Sequence, residues 1–268
     1  MTQPLLKDIC SQTAMLIRET GNFIAAELGK VDNEKIELKS LNSLVSYVDK
    51  TAEEMLVRGC AHIMPEAGFI TEEETIAASA EKDWRWIIDP LDGTTNFLHQ
   101  LPFFSISVAL QKDGKTVVGL VYEVNRQELF SAYLGGGCQL NGKVVKVSKT
   151  AALSDSLLAT GFPYYDFDKT AAYLQLLGNL MPKTRGIRRL GSAALDLAYT
   201  ACGRFDAFFE YSLSPWDVAA GAILVQEAGG LVSDFKGGDD YIFGKEILAT
   251  NFLLKTEMDI LMKIYFKP

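Results

Sequence analysis

The sequence predicts an α+β fold of layered helices and sheets, and three changes of pattern predict it. Two amphipathic stretches come first, a run of β-rich segments follows, and the second half alternates helix with strand. Residues 5–28 place Leu6, Ile9, Cys10, Leu16, Ile17, Ile24 and Leu28 at near-helical spacing. Residues 50–64 repeat the pattern with Ala52, Met55, Leu56, Cys60 and Ile63. Beyond Asp89 the period changes. The segments FFSISVAL, KTVVGLVYEV, QELFSAYL and KVVKVS are separated by turn signals such as Lys112-Asp113-Gly114 and Asn141-Gly142. That is a meander, so the first sheet is mainly antiparallel.

In the second half, DSLLATGF reads as a strand and residues 169–181 as a helix. SAALDLAYTACG is a helix ending at Gly203, and DAFFEY a strand. PWDVAAGAILVQEAGG is a helix with Ser214 as N-cap, Pro215 in the first turn and Gly229-Gly230 at its close. LVSDF and ILATN are strands, and residues 255–265 a last helix. No repeat, low-complexity block or Pro/Gly/Ser linker divides the chain. The expectation is one compact domain over 1–268, with helices and an antiparallel sheet in 1–150 and an α/β half in 151–268.

Composition sets the class of partner. The chain has 268 residues, 48% hydrophobic and 22% charged, which suits a full core. No apolar run approaches the roughly 18 residues that span a bilayer, and the N-terminus lacks the basic-then-apolar order of a signal peptide. Cys10, Cys60, Cys138 and Cys202 are far apart with no C-x-x-C, as expected for reduced thiols in a cytoplasmic protein. A formal net charge of −8 disfavours nucleic acid, because phosphate-backbone binding needs a basic surface. A small phosphate ester remains compatible if cations reverse the sign locally.

The stretch WIIDPLDGTTNFLH carries the chemistry. Its apolar run stops at Asp89, Pro90 follows, and Asp92 comes three residues after the first acid. Asp92-Gly93 signals a turn, and Thr94 can cap a helix, so a purely structural reading accounts for Asp92 and Thr94. It does not account for Asp89, an acid ending a buried strand. GFITEEET adds Glu72, Glu73 and Glu74, which read as a solvated face unless one turns inward. Asp217, at the third helical position after Ser214, reads as a capping-box acid. Together, Glu72, Asp89, Asp92 and Asp217 would supply the oxygens that hard divalent cations prefer, while Gly93 and Thr94 would offer backbone N–H groups to a phosphate.

WIIDPLDGTTNFLH with the downstream WDVAAGAILVQEAGG resembles the inositol monophosphatase family, Mg²⁺-dependent, lithium-sensitive phosphatases. The resemblance runs over nearly the whole chain: FITEEE stands at the family's upstream glutamate, and RRLGSAALDLAYTACGRFDAFFE matches its substrate segment. It implies an α-β-α-β-α layered fold, a homodimer, and direct attack by a metal-activated water on inositol monophosphate, with two or three Mg²⁺ ions and no phosphoenzyme. It also implies metal ligands at Glu72, Asp89, the Leu91 carbonyl, Asp92 and Asp217. Thr94, with Glu72, would orient the attacking water, and Asp49 would support the water network. Gly191, Ser192, Ala193 and Glu210, with Asp92, Gly93 and Thr94, would contact the substrate. The early loop LKSLNSLVSYVD departs from the pattern by about one residue and lacks Pro-Val-Asp. That departure leaves Lys39 without an assigned role and points to a mobile lid with its own metal affinity. Relatives on the same frame act on fructose 1,6-bisphosphate, histidinol phosphate or nucleotide 3′-phosphates.

Rival chemistries find less in the chain. DFDKT, Asp166 to Thr170, fits the D-x-D-x-T of haloacid-dehalogenase-type phosphatases, yet it follows Pro163-Tyr164-Tyr165 in mid-chain and reads instead as a loop with Asp168 capping the next helix. No cysteine begins a C-x5-R, and His62 and His99 read as packing or supporting residues.

Overall fold

Helices α1 (Gln3–Glu27) and α2 (Tyr47–Ile63) form from the two amphipathic stretches, and their apolar faces pack on one sheet. The computed structural model describes residues 2–32, 37–40, 43–76, 82–164 and 166–266. A small antiparallel pair, β1 (Glu37–Ser40) and β2 (Ser43–Val45), precedes α2. The tip of that early loop and the side chain of Lys39 lie outside the described residues.

The first sheet has seven strands in the order β3 (Gly68–Thr71), β4 (Trp84–Asp92), β5 (Ser105–Lys112), β6 (Lys115–Glu123), β7 (Glu128–Tyr133), β8 (Cys138–Leu140) and β9 (Lys143–Val145). Only β3 and β4 run parallel; the other neighbours are antiparallel, as the turn signals predict. A short helix, α3 (Thr94–Leu98), lies between β4 and β5.

The second sheet is mixed, with the order β11 (Gly186–Arg188), β10 (Leu157–Thr160), β12 (Ala207–Tyr211), β14 (Glu246–Thr250), β13 (Leu231–Ser233). Its helices are α4 (Thr170–Leu180), α5 (Ala193–Ala201), α6 (Pro215–Glu227) and α7 (Lys255–Tyr265).

Strand alternation sorts these elements into layers. On the first sheet Trp86, Ile88, Ile106, Val108, Val118 and Leu120 face α1 and α2, while Ile87, Ala109 and Val121 face the opposite way. On the second, Phe208, Ile247 and Ala249 meet α5 and α6, and Leu158, Phe209 and Leu248 meet α4 and α7. The order is α1/α2, seven-stranded sheet, α5/α6, five-stranded sheet, α4/α7. Small residues let the middle layer close up: a Cβ on Gly119 of β6 would lie 2.8 Å from the Ala220 carbonyl, and one on Gly221 of α6 2.4 Å from Leu197 of α5.

Candidate active site

The two acids of β4 share a face because the strand carries an extra residue. Asp89 pairs with Ser107 and Asp92 with Ser105, so three steps on β4 match two on β5. Without that irregularity, residues three apart would point to opposite faces. Pro90, with no N–H to give, sits within the bulge. The Leu91 N–H donates to Asp89 Oδ1 at 2.9 Å, so the Asx-type turn is made by Asp89 and not by Asp92 as the D-G signal suggests. Ile87 faces the middle layer, and Asp89, two residues on, follows it there.

Two helices begin at that spot. Asp92 Oδ2 accepts the Ser192 hydroxyl and the Ala194 N–H, both at 2.7 Å, which seats it on the first turn of α5. Asp217 Oδ2 accepts the Ser214 N–H at 2.6 Å, the capping-box bond read from the sequence. Asp217 thus caps α6 and also joins the cluster. Ligand atoms of Asp89, Asp92 and Asp217 all lie within 4.8 Å of one another.

The α2 side closes the group. Asp49 Oδ2 accepts the Ser46 N–H at 2.8 Å and the Ser46 hydroxyl at 2.7 Å. Its Oδ1 lies 2.9 Å from the Thr94 hydroxyl, which also stands 3.0 Å from the Leu91 carbonyl. Glu72 follows β3, and its N–H donates to the Ile88 carbonyl at 3.3 Å. The loop beyond is held by Glu53 of α2, a fully buried acid that accepts the Glu73 N–H, the Thr75 N–H and the Thr75 hydroxyl.

Charge in this group is unbalanced. Burial first, then Glu72, Asp92 and Asp217, push the Asp89 carboxyl well above the usual carboxylate range. Asp217 is pushed up by burial and by Asp92 and Glu72. Asp92 rises to about 6, through burial and despite its bonds from Ser192 and Ala194. Arg189 is the one cationic side chain among the described residues lining the cavity. Clustered oxygens with their protons held tightly and little countercharge nearby fit a hard divalent cation such as Mg²⁺.

The cavity has a volume of about 270 Å³ and extends from these acids to a second wall. Glu210 of β12 lies on the same strand face as Phe208, so it looks into the middle layer from the opposite sheet. It packs onto Gly161, where a Cβ would lie 2.1 Å from a Glu210 carboxylate oxygen. Burial pushes the Glu210 carboxyl up to about 8, against the pull of Arg189. Gly191 takes φ +92, a left-handed backbone that suits glycine, and Ser192 and Ala193 complete the edge. Asn96 joins α3 to this edge by donating to the Phe103 and Leu190 carbonyls at 2.7 and 2.8 Å. Gly93, with φ +99, is the N-cap of α3, where the sequence suggested Thr94 as cap.

Glu72, Asp89, Leu91, Asp92, Gly93, Thr94, Gly191, Ser192, Ala193, Glu210 and Asp217 all line this one cavity, with Asp49 behind Thr94. Asp166 does not line it; its Oδ1 accepts the Asp168 N–H in the loop before α4, whose N-cap is Lys169 and not Asp168. His62 and His99 are exposed, and neither lines the cavity. Sequence reasoning missed Glu53, Asn96 and Gly161. An acid inside the amphipathic pattern of α2 was the available signal for Glu53.

A model of the inositol monophosphatase family matches residues 7–264. The chain is 44% identical over 234 residues to Nus factor SuhB of Salmonella typhimurium, covering 87% of this chain and 88% of the relative. It is 38% identical over 268 residues to an inositol-1-monophosphatase of Mesorhizobium japonicum, covering 100% and 98%. The crystal structure of extragenic suppressor protein suhB from Bartonella henselae matches with a TM-score of 0.89 at 39% identity, over 94% of this chain and 97% of that one.

Proposed function

The chain belongs to the inositol monophosphatase family, and on that premise we propose that it hydrolyses inositol monophosphate to inositol and phosphate. It is a phosphomonoesterase of a family that is Mg²⁺-dependent in general. The observation that carries the reading is the convergence of Asp89, Asp92 and Asp217 on one cavity with Glu72 beside them.

Glu72, Asp89 and the Leu91 carbonyl would hold one Mg²⁺, and Asp89, Asp92 and Asp217 a second. Bound there, Mg²⁺ supplies positive charge for the phosphate oxygens and raises the acidity of a nearby water. The chain's own groups do the positioning. The Thr94 hydroxyl donates to Asp49, which leaves its lone pairs free to accept a hydrogen bond from the attacking water and leaves the Leu91 carbonyl free to act as a ligand. Glu72 accepts the proton of that water. The Gly93 and Thr94 N–H groups receive the phosphate, Glu210 bonds a ring hydroxyl, and Gly191, Ser192 and Ala193 let the ring approach the backbone. Asp49 acts through Thr94 and Ser46 and is a positioning residue.

The reading includes one phosphatase domain over 1–268, because the cavity draws Glu72 and Asp89 from the first half and Glu210 and Asp217 from the second. A homodimer, a cytoplasmic setting and lithium sensitivity go with it. No helix among the described residues is long and apolar enough to cross a membrane. A second reading rests on the name of the Salmonella relative: a Nus-factor role.

Exhaustive chelation should abolish turnover of inositol 1-phosphate and Mg²⁺ should restore it, while Asp89→Asn should remove it in any buffer. Full activity after chelation refutes the metal assignment. Across a panel with fructose 1,6-bisphosphate, histidinol phosphate and a nucleotide 3′-phosphate, inositol 1-phosphate should give the highest kcat/KM; any other winner replaces the substrate. An Asp89→Asn protein that still supports a Nus-factor role would separate the two readings.

A further inference from the structure

Two buried polar side chains on the Glu210 wall have no part in the assignments above. Ser212 comes one residue after β12 with φ +67, a left-handed backbone that a side chain with a Cβ rarely adopts. It is 5% exposed, lines the cavity, and its Oγ meets no hydrogen-bond partner among the described residues. Asp196 reaches the same cavity from α5; it is 1% exposed, and its Oδ1 likewise meets no partner.

Such groups are uncommon. Most buried polar atoms are hydrogen-bonded, and an unmet one weakens the fold. Backbone held in a sparsely populated region persists where its surroundings over-determine it, and such residues cluster at ligand clamps. Both kinds of cost fall on the lining of this one cavity, which Glu210 also lines. Burial, then the neighbouring charges of Glu210 and Asp92, hold the Asp196 carboxyl above its ordinary range. Protonated, it offers a donor as well as an acceptor, and so does the Ser212 hydroxyl. A ring bearing several hydroxyls can use such partners in addition to Glu210.

We infer that Ser212 and Asp196 are specificity-determining residues that, together with Glu210, bind neighbouring hydroxyls of a polyol phosphate, so that the cavity selects esters with at least two free hydroxyls near the phosphate. This rests on the phosphatase reading of the cavity and adds to it which residues choose the alcohol. A site built to hydrogen-bond hydroxyls discriminates against analogues that lack them, because its own buried groups are then left unpaired.

The test compares two substrates, inositol 1-phosphate and phenyl phosphate, whose alcohol carries no free hydroxyl. Ser212→Gly removes the hydroxyl and suits φ +67, so the fold should be kept or strengthened. Asp196→Asn keeps the shape of the side chain. Each variant should lower the ratio of kcat/KM for inositol 1-phosphate to that for phenyl phosphate by about tenfold, chiefly through KM, and should raise the Ki of free inositol as product inhibitor. The Tm of Ser212→Gly should be no lower than that of wild type. If wild type prefers inositol 1-phosphate and both variants keep the full preference, the inference is wrong and the two groups are solvated lining. A wild type without the preference overturns the substrate reading and this inference with it. Equal losses on both substrates, with a lowered Tm, would place Ser212 and Asp196 in the fold and overturn the inference as well.

Discussion

Replacing Glu53 by Gln should weaken Mg²⁺ binding although Glu53 does not line the cavity. Glu53 Oε2 lies 2.7 Å from the Glu73 N–H, and Oε1 lies 2.8 Å from the Thr75 N–H and 2.7 Å from the Thr75 hydroxyl. Both carboxylate oxygens face backbone donors, so a Gln amide must turn its NH₂ toward one of them. In either orientation one backbone N–H loses its acceptor, since only the Thr75 hydroxyl can rotate to adapt. A buried donor left unmet costs about 1–3 kcal/mol. The loop bearing Glu72 hangs between this anchor and the last β3–β4 rung, where the Glu72 N–H meets the Ile88 carbonyl. If the loss falls on the geometry that presents Glu72, the Mg²⁺ concentration for half-maximal rate should rise by roughly 5- to 150-fold. Initial rates on inositol 1-phosphate across a Mg²⁺ titration measure it, and kcat at saturating Mg²⁺ should stay near wild type. An unchanged titration curve would show that other contacts hold the loop. A collapsed kcat with an unchanged Mg²⁺ midpoint would refute the reasoning altogether.

Three further outcomes follow from two particular side chains. Glu210 is held protonated up to about pH 8 in the fold against 4.5 as its ordinary value, so its contribution to stability is complete below about 4.5 and is lost as pH rises through 8. In Mg²⁺-free buffer, Glu210→Gln should therefore flatten the fall of unfolding free energy between pH 5 and 8, by at most about 1.4 kcal/mol per pH unit; identical slopes in denaturant titrations would show that Glu210 ionises normally. The same variant should cut kcat/KM for inositol 1-phosphate by roughly two- to tenfold while largely sparing phenyl phosphate. Asp166→Asn should leave turnover at the wild-type level, because Asp166 lies outside the cavity; a trapped aspartyl-phosphate at Asp166 would overturn the choice of chemistry.

What the sequence made legible is what depends on neighbours along the chain. Helix faces follow from the spacing of Leu6, Ile9, Ile17 and Ile24, all buried in α1. The capping box of Ser214 and Asp217 is local, and so is the meander. What depends on another element stayed hidden. Asp89 and Asp92 share a face only because β5 offers two residues against three, and nothing in DPLD states the partner's register. The Asx-type turn went to Asp89 because the bulge points its carboxylate at the Leu91 N–H. Strand β11 is a three-residue edge with no period to read. Glu53 stands inside the amphipathic pattern of α2, but the donors that satisfy it, the N–H groups of Glu73 and Thr75, come from the loop after β3 and cannot be read from α2 itself. His62 and His99 fall within or beside helical patterns, yet the structure leaves both exposed, because an amphipathic stripe is wide enough to admit a residue at its margin.

The acids of the cavity are compensated unequally, and the inequality says where a cation is needed most. Asp49 has Ser46 and Thr94, Asp92 has Ser192 and Ala194, and Asp217 has the Ser214 N–H. Each of these bonds favours the charged carboxylate. Asp89 is 1% exposed and receives the Leu91 N–H on one oxygen, while a hydrogen bond with the Glu72 carboxyl raises its proton affinity further. Two carboxyl groups can share a hydrogen bond only if one of them holds a proton. The protein therefore uses hydroxyls and helix starts to hold Asp92 and Asp217 in place, which offsets part of the rise that burial and neighbouring acids impose on both, whereas Asp89 has one such bond and a carboxyl neighbour in Glu72. A divalent ion that displaces the shared proton would gain an oxygen from each of the two carboxylates. That makes Asp89 the residue whose loss should cost the most metal affinity.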